Sequence, residues 1–396
     1  MYLKSDECPG LTDNAGMGPP SNDLTRLARC LTGGEFPSPE PEAWFALVEA
    51  AGREGLAGLL LESAERRRVD LPLAAHLRLR EQATHVASGT AHRLRSLAPI
   101  ARAFADEGMP LLLLKGAALH LTLYSRPELR PMSDVDCMVP LDRAEDACAL
   151  LDRLGCRRGP APVRPGFFPT FHNELEYFTP QADHPVRLDV HARPFRPLRY
   201  AQSVPPHAFW EAATPMKLYG AAVVVPGAAD MLIHLAVHAA IHGANRLLWL
   251  YDIYRFAAEN SDQLDWPPLV ARARTWGLLH PLRVGLCRTE SVFGAFLPAN
   301  ARAALNHAHP SVLDRLVLWH APRDEAHPLG HVAVNVLSIR GWRPRLRYLS
   351  AVLRPAREHL GGLYPWRHPG WTVCAHAWRV LRAVGRGVGM RRLTQA

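Results

Sequence analysis

The chain has 396 residues, 48% of them hydrophobic, with 46 Lys and Arg against 37 Asp and Glu for a formal charge of +9, which excludes a disordered or fibrous protein and allows a full core in two or three substructures. That charge is uneven: residues 340–396 hold 12 arginines and one acid, Glu358, the rest is close to neutral, and only Lys4, Lys115 and Lys217 are lysines. Seven cysteines without a CxxC pair exclude a zinc ribbon and suit reduced thiols, while a polar N-terminus and the lack of about 18 uninterrupted apolar residues lead us to expect a cytoplasmic protein with no transmembrane segment.

Residues 1–40 are rich in Gly, Pro, Ser, Asp and Asn and are expected to form a disordered arm. Over 41–108, apolar residues recur every three or four positions, predicting two or three helices. The pattern changes at MPLLLLKG, a short continuous apolar run that suits a buried strand entering Gly116, with a helix opening at GAALHLTLY. DVDCMVP alternates as a half-buried strand and LDRAEDACALLDRLG reads as a helix ending at Gly155. Residues 171–179 and 186–191 look like two more strands joined by the turn PQADHP, before a Pro-rich stretch, RPFRPLRYAQSVPPH. The order is that of an α+β fold: a strand-bearing core over 109–215, a helical region over 216–335, most strongly patterned from Ala228 onward, and a basic arginine-rich tail over 336–396.

On a strand, Asp134 and Asp136 project from one face a few ångströms apart. Two like charges so placed are costly without a cation between them, and hard oxygen ligands suit Mg²⁺ or Mn²⁺. A bare DxD also arises on solvated strands, so its company matters. Gly116 lies 18 residues earlier at a strand-to-helix junction, where free N–H groups favour an anion. Lys115 can reach a phosphate oxygen there or point to water. Asp189 could complete a metal cluster or take a proton from an attacking hydroxyl, and Glu176 is a weaker candidate for the third acid. His234, His238 and His242 recur every four residues along one helix face, as packing, cleft lining or, less readily, a metal site. Asp252 could bond one of these histidines or Arg246, and His191 could orient Asp189 or be structural.

The run LLLLKGAALHLTLYSRPELRPMSDVDCMVPLDRAEDACALLDRLG resembles a family of bacterial nucleotidyltransferase-like proteins, a branch of the DNA polymerase β type superfamily, and the similarity extends through LDVHARP and HLAVHAAIHGANRLLWLYDI over roughly residues 90–360. The resemblance implies a small mixed-sheet nucleotidyltransferase core with Asp134, Asp136 and Asp189 as catalytic, metal-holding acids, and with Lys115, Gly116, Ala117, Arg130 and Ser133 around the nucleotide. The superfamily's turn usually reads Gly-Ser or Gly-Gly-Ser, whereas here Ala117 and Ala118 follow Gly116, so the expectation is either that Lys115 or Arg130 stands in for the missing hydroxyl or that triphosphate binding is weakened. The leading expectation is metal-dependent transfer of a nucleoside monophosphate from an NTP to an acceptor, a small molecule, peptide, protein or RNA, with release of pyrophosphate. Two alternatives are a sugar-nucleotide glycosyltransferase using the DxD and a degenerate nucleotidyltransferase fold kept as a binding module. The tail, with Trp342, Tyr348, Trp366 and Trp371 among its arginines, admits nucleic-acid contact, peripheral membrane contact or a solvated terminus packed against an acidic partner surface.

Overall fold

Four helices lead into the sheet of the computed structural model, which describes residues 22–37, 41–160, 163–181, 183–307, 309–323, 328–363 and 371–372. They are α1 (Asn22–Leu31), α2 (Pro41–Glu54), α3 (Ala57–Arg66) and the 34-residue α4 (Leu73–Asp106). Helix α1 corrects the expectation of a disordered arm over 1–40: Leu27, Ala28, Cys30 and Leu31 are buried in the main core. Leu24, Leu27, Ala28 and Leu31 fall at i, i+3, i+4 and i+7, a helical stripe masked by the surrounding Gly and Pro. Residues 1–21 of the expected arm lie outside the described residues.

The sheet then begins with β1 (Leu112–Leu113), followed by α5 (Lys115–Thr122), β2 (Val135–Met138), α6 (Ala144–Arg153), β3 (Arg157–Arg158), β4 (Glu174–Phe178), β5 (Arg187–His191), two single-turn helices, α7 (Leu198–Ala201) and α8 (Ala208–Glu211), and the strands β6 (Thr214–Leu218) and β7 (Ala221–Val225). The seven strands lie in the order β3-β4-β5-β2-β1-β7-β6. The sheet is mixed: β2 runs parallel to β5 and β1 parallel to β7, while the other neighbours are antiparallel. Leu111 to Leu114 are almost wholly buried, as a continuous apolar run at the centre of a covered sheet should be.

The sheet reaches past the expected boundary at 215, because β6 and β7 form a hairpin at the start of the segment read as helical. Its two-residue loop, Tyr219–Gly220, has φ of +46° and +84°, the left-handed pair that matches the twist of a tight hairpin. Beyond it come α9 (Ala228–Ile241), α10 (Leu247–Glu259), α11 (Trp266–Thr275), α12 (Leu279–Phe293), α13 (Ala299–Asn306), α14 (Val312–His320), α15 (Pro328–Ser338), α16 (Trp342–Leu353) and α17 (Arg357–Leu363). Helix α9 is apolar nearly all round and packs against α10 and α12. In the arginine-rich tail, Tyr348 and Ala351 of α16 join Phe167, Phe171, Leu198 and Ile339 in a second, smaller core. Among the described residues no helix is long and apolar enough to cross a membrane.

Candidate active site

The parallel pairing of β2 with β5 sets Asp136 directly beside Asp189, and the antiparallel pairing of β5 with β4 sets Glu176 beside Asp189 and Glu174 beside His191. Because side chains alternate along a strand, Arg187, Asp189 and His191 share one face of β5. That face forms one wall of a cavity of about 690 Å³, into which Lys115, Gly116, Ser133, Asp134, Asp136 and Glu174 also open. Another wall comes from α9 and α10 with the bend between them, through His238, Ile241, His242, Arg246, Leu248 and Trp249.

The acids are held by protein cations. Lys115 opens α5 with φ +46°, and its Nζ donates to Asp136 Oδ1 at 2.7 Å. His191 Nε2 lies 3.0 Å from the same oxygen, and its Nδ1 is 3.7 Å from Glu174 Oε2. Burial alone would raise the Asp136 pKa, but the Lys115 ammonium and the His191 hydrogen bond outweigh it and hold the carboxyl well below the usual range. Arg187 Nη2 donates to Asp134 Oδ2 and, at 3.2 Å, to Asp189 Oδ2. Ser133 Oγ also donates to Asp134, at 3.1 Å. Asp189 is pushed up to about 6, first by burial and then by the neighbouring Asp136 charge, against the pull of Arg187.

Not every expected residue meets the cavity in the expected way. Ala117 is buried in the core and its side chain does not line the cavity. Arg130 lines the cavity but is sealed: its Nη2 and Nε donate to Asp252 Oδ2 at 2.9 and 3.3 Å, while Tyr124 Oη donates to Asp252 Oδ1 at 2.8 Å. Asp252 therefore pairs with Arg130, not with a histidine or Arg246, and Arg246 instead lies 5.1 Å from the Trp249 ring centre. Gly116 owes its small size to this pair, since a Cβ there would stand 2.2 Å from Arg130 Nη1.

The histidines divide as well. His191, His238 and His242 line the cavity. His234 does not: it is fully buried, stacked on Phe195 with ring centres 5.4 Å apart, and among the described residues neither of its ring nitrogens has a hydrogen-bond partner. His238 and His242 pack on Trp249 with ring centres 4.9 and 5.3 Å apart. Burial, followed by the Lys115 charge, pushes His242 down to about 4 and His238 well below the ordinary histidine value, so these two histidines are neutral at physiological pH.

Among the described residues no three His, Cys, Asp or Glu side chains stand as a ready metal cluster. The donor set nevertheless fits a hard divalent ion: Asp134, Asp136 and Asp189 line one cavity, and the pKa of Asp189 is raised first by burial and then by the Asp136 charge. The Arg187 side chain, 42% exposed, is the cation that would have to give way.

Sequence reasoning passed over Arg187, Glu174 and Trp249. Arg187 and Glu174 carried a signal. Arg187 sits two positions before Asp189 in VRLDVH and so shares its face, and Glu174 and Glu176 alternate the same way on the facing strand.

Residues 40–294 match the family model described as "uncharacterised nucleotidyltransferase", and the chain belongs to that family. A solved structure of an antigenic nucleotidyltransferase-like protein from Paracoccidioides brasiliensis is 14% identical over 52% of this chain and 99% of its own, with a TM-score of 0.31, too loose a likeness to carry an argument. No curated protein matches.

Proposed function

We propose that the cavity performs metal-dependent nucleotidyl transfer, moving a nucleoside monophosphate from an NTP to an acceptor with release of pyrophosphate. The observation that carries this reading is the side-by-side placement of Asp136 and Asp189 on β2 and β5, with Asp134 lining the same cavity. Asp134 and Asp136 would hold Mg²⁺ or Mn²⁺, which when bound supplies charge neutralisation for the phosphates and a Lewis acid. Lys115 and Arg187, bound to carboxylates in the free protein, are the cations positioned to transfer onto phosphate oxygens. The superfamily's usual hydroxyl is absent at Ala117, and Arg130 is committed to Asp252, so Lys115 is the residue of the turn left for this role. Asp189, with its pKa near 6, is suited to accept the proton from an acceptor hydroxyl at neutral pH.

A second reading, a nucleotide-binding module without turnover, is favoured by the occupation of all three acids by Lys115, His191 and Arg187. Incubating the protein with α-labelled NTPs, Mg²⁺ and a cell extract separates the two. Label transfer with pyrophosphate release, lost in Asp134→Asn, is expected. Nucleotide binding without label transfer would establish the module instead, and release of nucleoside diphosphate from an added sugar nucleotide, with no label moved from the NTP, would indicate glycosyl transfer.

A further inference from the structure

Helix α16 is anchored on one side only. Its inner face, Tyr348 and Ala351, packs into the second core, where Tyr348 stacks on Phe167 with ring centres 5.8 Å apart and its hydroxyl accepts from Asn335 Nδ2 at 3.0 Å. On the outer face, Trp342, Leu346 and Leu349 follow one another at i, i+4 and i+7, a single stripe along the helix. Trp342 is 66% and Leu346 57% exposed. Arginines flank that stripe: Arg343, Arg345, Arg347 and Arg354 are all exposed, and among the described residues none of them is in an ion pair.

An exposed apolar stripe bordered by unneutralised arginines is the pattern of a helix lying in a membrane interface, with the apolar residues among acyl chains and the guanidinium groups at anionic headgroups. We infer that α16 docks this protein onto an anionic lipid surface through Trp342, Leu346 and the arginines around them. Charge argues against two other occupants, the chain's own C-terminal residues and a second copy. The chain's own C-terminal residues, 364–396, contain six arginines and no acid, so they cannot neutralise the helix, and a second copy would bring a like-charged face to it. A single-stranded nucleic acid would want aromatic platforms for its bases. Here Tyr348 is turned into the core at 4% exposure, and leucines occupy the positions beside Trp342. The expectation that Tyr348 serves as a stacking platform is thereby corrected.

Co-sedimentation of the full chain with vesicles tests the assignment. The native protein should pellet with vesicles of equal parts phosphatidylglycerol and phosphatidylcholine, and far less with phosphatidylcholine alone. Trp342→Ser with Leu346→Glu, both exposed and so tolerated by the fold, should weaken that binding at least about tenfold. Arg343→Gln with Arg347→Gln should weaken it by about fivefold or more per residue at low salt and reduce its salt dependence. The inference is overturned if the native chain ignores anionic vesicles, or if the Trp342→Ser/Leu346→Glu protein binds them as well as the native one. It is equally overturned if a single-stranded RNA is bound through these residues while vesicles are not, or if the double substitution only dissociates a dimer.

Discussion

Arg130 and Arg187 both line the cavity and both hold aspartates, but Arg130 and its partner Asp252 have side chains 7% and 1% exposed, against 42% for Arg187 and 22% and 18% for Asp134 and Asp189. The first pair is a fixture, cut off from water and locked further by Tyr124. The second is open to the cavity, so its charges can change partners at small cost. The same two residue types thus serve as structure in one place and as exchangeable counter-charge elsewhere in the same cavity, and burial makes the difference.

Breaking each pair should expose the contrast. The largest effect is expected from Arg130→Met, which leaves Asp252 charged and buried: a loss of about 3–5 kcal/mol of stability, read by denaturant unfolding. Asp134→Asn should leave the fold intact and cut label transfer by roughly a hundred- to a thousandfold, about 3–4 kcal/mol of barrier, in a pyrophosphate-release assay.

The neutral histidines predict a pH effect. His242 binds its proton near pH 4 in the folded chain and nearer 6.5 when unfolded. Between those values the unfolded state holds more protons, so stability present above about pH 6.5 is lost as the pH falls. His242→Gln should remove at most about 3 kcal/mol of that dependence, measured as a shallower fall of the melting temperature on acidification. Smallest of all, Arg187→Gln should alter stability by less than about 1 kcal/mol, yet tighten Mn²⁺ binding in a titration followed by electron paramagnetic resonance. A loss of stability matching that of Arg130→Met would erase the distinction between the two pairs.

Much of the site was legible because it depends on local periodicity. Alternation along VRLDVH puts Asp189 and His191 on one strand face whatever the tertiary fold, and Asp136 of β2 and Asp134, which lies just before that strand, meet them in one cavity. The partners of those acids were less legible, because they depend on register: nothing in the chain order announces that Glu174 faces His191, or that Arg130 reaches Asp252 more than a hundred residues away. Composition misled at α1, where ten helical residues sit within a Gly- and Pro-rich stretch, and at the β6–β7 hairpin, whose short strands follow a proline-rich connector. The glycine at 116 was read through its junction position as room for a phosphate, whereas its backbone lies against a guanidinium.

That contact joins positions 116, 130 and 252 into one unit of inheritance. A side chain at 116 collides with Arg130, a smaller residue at 130 strands Asp252, and an uncharged residue at 252 strands Arg130. A change at any one of the three disturbs a buried contact of the others, so chains descending from this one are expected to keep or exchange the three together. Such a coupled set offers a sharper mark of shared ancestry than the two aspartates of the DxD, which any solvated strand can acquire by chance.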